Sequence, residues 1–136
     1  MKGDILLQNV QVRGFIPATI GKNAKEGKKK IKIAIEKKLG KNIDSVRKRC
    51  DGKPLWISVT FYLKKGSAHA KKDLDSLSNV LLAVLSKEMS SGKDAEPGLD
   101  IIKDDCIVYR IIFEKKIIDS ESYEGFTFSI YEWSYS

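Results

Sequence analysis

The chain has 136 residues, of which 42% are apolar and 32% charged, and it carries a net charge of +7. That length and apolar content suit one domain with an ordinary core and a well-solvated surface. No stretch approaches the roughly 20 apolar residues of a membrane-spanning helix, and Met1-Lys2-Gly3-Asp4 leads into only three consecutive apolar residues, too few for a signal sequence.

In chain order, Asp4 to Ile16 reads as a strand or bent strand pair. Val10 and Val12 alternate with Gln11 and Arg13, and Gly14 is placed to mark a bulge. A loop follows, and the pattern then predicts a basic helix over 24–39. Ile31, Ile35 and Leu39 recur at four-residue steps as a narrow apolar stripe, with Gly40 positioned just past the end, where a left-handed residue closes a helix. Lysines cover the rest of it. Between Gly21 and Arg49, Lys and Arg far outnumber the three acids Glu26, Glu36 and Asp44. A solvated helix face is the plain reading. The surplus of cations favours a surface that tracks phosphates, because lysines neutralise phosphates without reading sequence. Lys28, Lys29, Lys30 and Lys32 are the candidate contacts.

Residues 42–53 read as a charged connection ending in an Asp51-Gly52 turn. The segment 54–63 is the clearest strand, with Leu55, Ile57, Val59, Phe61 and Leu63 on one face. Trp56 and Tyr62 fall on the other, with room for a covering helix. A polar loop carrying His69, the sole histidine, leads to Lys71-Lys72-Asp73-Leu74-Asp75. From Leu74 a stripe of Leu77, Leu81, Val84 or Leu85, and Glu88 or Met89 at three- and four-residue steps predicts a helix running to Ser91, before Gly92. Beyond a polar connection, Asp104-Asp105 opens the β-branched run 106–113, read as a buried strand. The segment 125–133 alternates Phe126, Phe128 and Ile130 inward as a final strand, expected antiparallel to its predecessor. The fold class expected is α/β or α+β, a single small domain of order β-α-β-α-β-β with a mixed β-sheet backed by two main helices.

Two pairs of carboxylates thus bracket one apolar helix in a basic chain. Taken singly, each pair has an ordinary explanation. Acids in a first helical turn complement the helix dipole, and Asp-Asp is common in turns. Together they suggest a site. Like charges ~4 Å apart repel by about 4 kcal/mol at an effective dielectric near 20, so a cluster of Asp73, Asp75, Asp104 and Asp105 calls for a cation. Mg²⁺, with Mn²⁺ as a substitute, takes oxygen ligands and keeps several waters. One or two such ions activate water and steady the leaving oxygen in phosphodiester hydrolysis. Cys50 and Cys106 form no CxxC pattern and read as free thiols of a reducing cytoplasm; with one histidine, they make no closed zinc site.

The residues Asp73-Leu74-Asp75, Leu77, Leu81 and Leu82, followed by Ile102, Asp104, Asp105, Ile107 or Val108, and Lys115, resemble the RusA-like endodeoxyribonucleases. These are Holliday junction resolvases of bacteria and phages. The resemblance spans Lys71 to Lys116, about a third of the chain. It implies Asp73, Asp75 and Asp105 as catalytic metal ligands, Asp104 as a fourth acid, a four-way DNA junction as partner, and a homodimer, because a two-fold junction needs two matched cuts. The family pattern continues Asp-Leu-Asp-Asn-Leu-x-Lys, where the lysine assists catalysis; Ser76 and Asn79 occupy those two polar positions here. Lys72, Lys71 or Lys103 is then left to supply positive charge at the scissile phosphate. Two other classes fit the charge: a non-catalytic branched-DNA-binding module and a basic RNA-binding domain.

Overall fold

The sheet is built on Leu55–Lys64 (β2), and its burial follows the alternation of its sequence. Leu55, Ile57, Val59, Phe61 and Leu63 are fully buried, whereas Ser58, Thr60, Tyr62 and Lys64 on the other face are half-buried. A computed structural model of the chain describes residues 2–13, 24–66, 74–89, 96–103, 105–119 and 124–133. Around β2 stand β1 (Lys2–Arg13), α1 (Ala24–Leu39), α2 (Ile43–Cys50), α3 (Leu74–Leu85), β3 (Val108–Ile118) and β4 (Gly125–Trp133). The four strands lie in the order β1-β4-β2-β3. β4 runs antiparallel to both β1 and β2, and β2 and β3 are parallel. This is a small single-domain α+β fold with a mixed sheet, as the pattern of elements predicts.

One core cluster joins Ile31, Ile35 and Leu39 of α1 and Val80, Leu81, Val84 and Leu85 of α3 to the inward residues of the strands. The bounds of α1 match those read from sequence, and Gly40 adopts φ +52, the left-handed conformation that the missing Cβ permits.

Several sequence readings are corrected. Residues 43–50 form the helix α2 rather than a connection. Its two buried side chains, Val46 and Cys50, are four residues apart, a stripe too short to stand out among charges. α3 stops at Leu85, not Ser91. There the Ser86 hydroxyl donates to the Leu82 carbonyl at 2.7 Å, and the chain turns to bridge Ile102 and Pro97 through Ser86 and Glu88. Gly14, read as a bulge, lies outside the described residues; within β1 the register shifts repeatedly around Asn9, which takes φ +48. β3 starts at Val108, after a 3-10 turn over Asp105–Ile107, and it is an edge strand with most of its side chains exposed. β4 runs opposite to β3 but is separated from it by β2. Trp56 is covered by stacking on Tyr131, with ring centroids 4.2 Å apart, and by the Arg110 guanidinium 5.4 Å above its ring.

Cys106, in the run read as a buried strand, is exposed, whereas Cys50 is fully buried; neither forms a disulfide. Burial pushes the Cys50 thiol up to about 11, with the charges of Arg49 and Lys53 acting the other way.

Candidate metal site and nucleic-acid interface

The two acidic segments sit at defined places on the scaffold. Asp75 is the second residue of α3, and Asp105 opens the 3-10 turn that feeds β3. Asp73, Asp104, Lys71, Lys72 and His69 lie outside the described residues. The β2, α3 and β3 elements form a parallel strand-helix-strand unit. α3 has a buried face, with Ser78 and Val80, Leu81, Val84 and Leu85 turned to the core, and Asn79 exposed.

Backbone reach sets the condition for one shared site. The backbone amides of Ile101 and Ile102 both donate to the Leu85 carbonyl, which fixes residue 102 at the C-terminal end of α3. The ten residues from Asp75 to Leu85 rise about 15 Å along the helix. The three residues from Ile102 to Asp105 reach at most about 10 Å. Even a chain running straight back along α3 would leave Asp105 about 5 Å short of Asp75 along the helix axis, so a metal shared by the two segments would have to span that gap through their side chains. The donor chemistry suits Mg²⁺, since carboxylates are hard oxygen ligands. Among the described residues no three His, Cys, Asp or Glu side chains gather in a way that would hold a metal.

The lysines of α1 divide into two groups. Lys28 Nζ donates to the Met89 carbonyl at 3.2 Å and Lys32 Nζ to the Pro97 carbonyl at 2.9 Å, while Lys29 pairs with Glu96 at 3.2 Å. Arg47 of α2 adds a bond from Nε to the Leu99 carbonyl at 2.8 Å. Cations of α1 and α2 thus strap the segment that follows α3. This is a structural duty for three of the four lysines that the sequence suggested as phosphate contacts. Lys103, another such candidate, pairs with Asp100 at 3.3 Å.

Lys30, the remaining candidate, lies elsewhere. It joins Arg13, Lys37 and Lys38 on the rim of a groove of about 440 Å³ between β1 and α1, floored by Val12, Ile33 and Ala34. The described lining contains four cations and no acid. Arg13, Lys37 and Lys38 were not singled out from the sequence as contacts. The signal was present in the i, i+3, i+4, i+7 spacing of Lys30, Ile33, Ala34 and Lys37, which puts them on one helical face, but the partner Arg13 is distant in sequence. Near the C-terminal end of β4, Tyr131 is buried and stacks on Trp56, while Trp133 is half-buried 6.4 Å from Tyr109.

No protein-family model, curated protein or solved structure matches the chain. Among the described residues, no helix is long and apolar enough to cross a membrane.

Proposed function

We propose that the chain is a Mg²⁺-dependent, structure-selective DNA endonuclease that acts on four-way junctions as a homodimer. The observation that carries this reading is the placement of Asp75 in the first turn of α3 and of Asp105 in the turn before β3, in a chain of charge +7. Asp73, Asp75, Asp104 and Asp105 would hold the metal. Bound Mg²⁺ supplies a water of lowered pKa and charge stabilisation at phosphate. The chain's own residues orient the substrate. Cations on the α1 groove bind phosphates, and Lys72 or Lys71 places a charge beside the scissile group.

A second reading is a branched-DNA-binding module without catalysis. It is favoured by Asn79, which is exposed at the position of the family's assisting lysine and carries no charge.

The test is incubation of the purified protein with a synthetic four-way junction and Mg²⁺, beside a linear duplex, an EDTA control and Asp75→Asn. Paired symmetric nicks on the junction alone, lost in EDTA and in the variant, are the expected result. Tight junction binding without cutting in Mg²⁺ or Mn²⁺ would establish the binding module instead. No preference for the junction would refute both. Asp75→Asn should bind DNA at least as tightly as the parent, because it removes a negative charge near phosphate. Loss of its folded structure would show that the negative charge in the first turn of α3 is structural.

A further inference from the structure

The two edges of the sheet are built differently. β1 is broken by three register shifts and by Asn9 in the left-handed region, devices that blunt an edge. β3 is 11 residues long and keeps one register with β2 from Arg110 to Ile118. Among the described residues no strand lies beyond β3 in the sheet, so it forms an edge. It also carries large apolar side chains in the open: Tyr109 is 51% exposed, Ile111 37%, Ile112 38% and Ile117 52%. They account for four of the six large apolar side chains that the described residues expose. A long, regular, apolar edge is a template for another strand.

The sequence of β3 selects the strand it fits. Its register with β2 puts Arg110, Ile112 and Glu114 on the face of Trp56, Ser58 and Thr60, and Ile111 and Phe113 on the face of Ile57 and Val59. We propose that β3 pairs antiparallel with β3 of a second copy about a two-fold axis at Ile112, joining two four-stranded sheets into one. Residues equidistant from Ile112 then face each other. Arg110 meets Glu114 of the second copy, and Glu114 meets its Arg110. Ile112 packs on itself, and Ile111 and Phe113 form two further apolar pairs on the helix-bearing face. Opposite charges and apolar residues directly across an antiparallel pair stabilise it. Centring the pairing one residue later, on Phe113, sets Arg110 against Lys116 and Ile111 against Lys115, so charge fixes the register as well as the partner. An isologous contact of this kind closes on itself and stops at the dimer. The pairing rests on β3 alone and not on the nuclease reading.

Sedimentation velocity of the full chain between about 1 and about 100 µM tests it, with Arg110→Glu, Glu114→Arg, the double swap, and Ile112→Lys. The wild type should pass from monomer to dimer across that range. Each single charge reversal places like charges opposite each other twice and should weaken dimerisation at least about ten-fold. The double swap should return the wild-type dissociation constant, and Ile112→Lys should leave only monomer. Arg110, Glu114 and Ile112 are exposed, so the circular dichroism spectrum should hold across the set, with a small drop in melting temperature where Arg110 is replaced and the guanidinium over Trp56 is lost. A wild type that stays monomeric at the highest concentration would overturn the proposal. So would a dimer indifferent to all four changes, or a double swap no tighter than the single reversals.

Discussion

Replacing Lys30, Lys37 and Lys38 with glutamine should weaken binding to a labelled four-way junction far more than replacing Lys28, Lys29 and Lys32. The two triplets lie on the same helix and remove the same charge, so net electrostatics do not distinguish them. Position does. The first three rim the groove with Arg13, whereas the second three bond to Met89, Glu96 and Pro97. Each phosphate contact contributes about 0.9 to the slope of log affinity against log salt, so losing three flattens it by roughly 2.7 and lowers affinity by about 500-fold at 0.1 M salt. The second triplet removes three tethers that are exposed or half-buried, which together contribute on the order of 1–2 kcal/mol to stability. For a chain of this size that lowers the melting temperature by a few degrees, with little change in salt slope. Fluorescence anisotropy from about 50 to 300 mM NaCl, beside thermal melts of both variants, reads the two effects separately. A flattened slope in the Lys28/Lys29/Lys32 variant, with the Lys30/Lys37/Lys38 variant unchanged, would refute the division of labour drawn here.

Other outcomes follow from particular positions. Gly98→Ala would put a Cβ 2.1 Å from the Ser86 carbonyl oxygen and 2.9 Å from that of Val84, both backbone atoms with no freedom to yield. It should cost about 3 kcal/mol or more in a urea titration, and retention of full stability would show that the 96–102 segment repacks easily. In the native protein one thiol, Cys106, should react with a maleimide, and a second should appear only in denaturant. The Cys50 thiol has a folded pKa of about 11 against 9.0 unfolded, so its contribution is present below pH 9 and is lost as pH rises from 9 to 11. Two pH units correspond to roughly 3 kcal/mol, and a Cys50→Ala variant unfolded at pH 8 and 10.5 should lack that extra loss. Asn79→Lys restores a cation on an exposed helical position. On the nuclease reading it should raise the junction-cleavage rate about ten-fold or more at unchanged stability, and no gain would count against an assisting role for that position.

The elements with a strong internal period were legible. The five-fold alternation of β2, the Ile31-Ile35-Leu39 stripe of α1 with Gly40 behind it, and the inward Phe126, Phe128 and Ile130 of β4 each state their own burial, because side-chain direction follows the local backbone period. The composition likewise determined the net positive charge, and the sequence pattern placed Asp75 at a helix start and Asp105 before a strand. What those patterns lack is any record of neighbours. The run 106–113 reads as buried because it is β-branched, yet β3 became an exposed edge, since strand order decides which apolar strand sits in the middle of a sheet. Cys50 among charges is buried and Cys106 beside an apolar run is exposed, because α2 turns one stripe inward and β3 begins two residues later than the pattern implies. The lysines of α1 look alike in sequence. Only the return of residues 86–89 and 96–99 against that helix separates those that fasten the chain from those that line the groove, because a hydrogen bond between residues more than 60 positions apart leaves no local periodic trace.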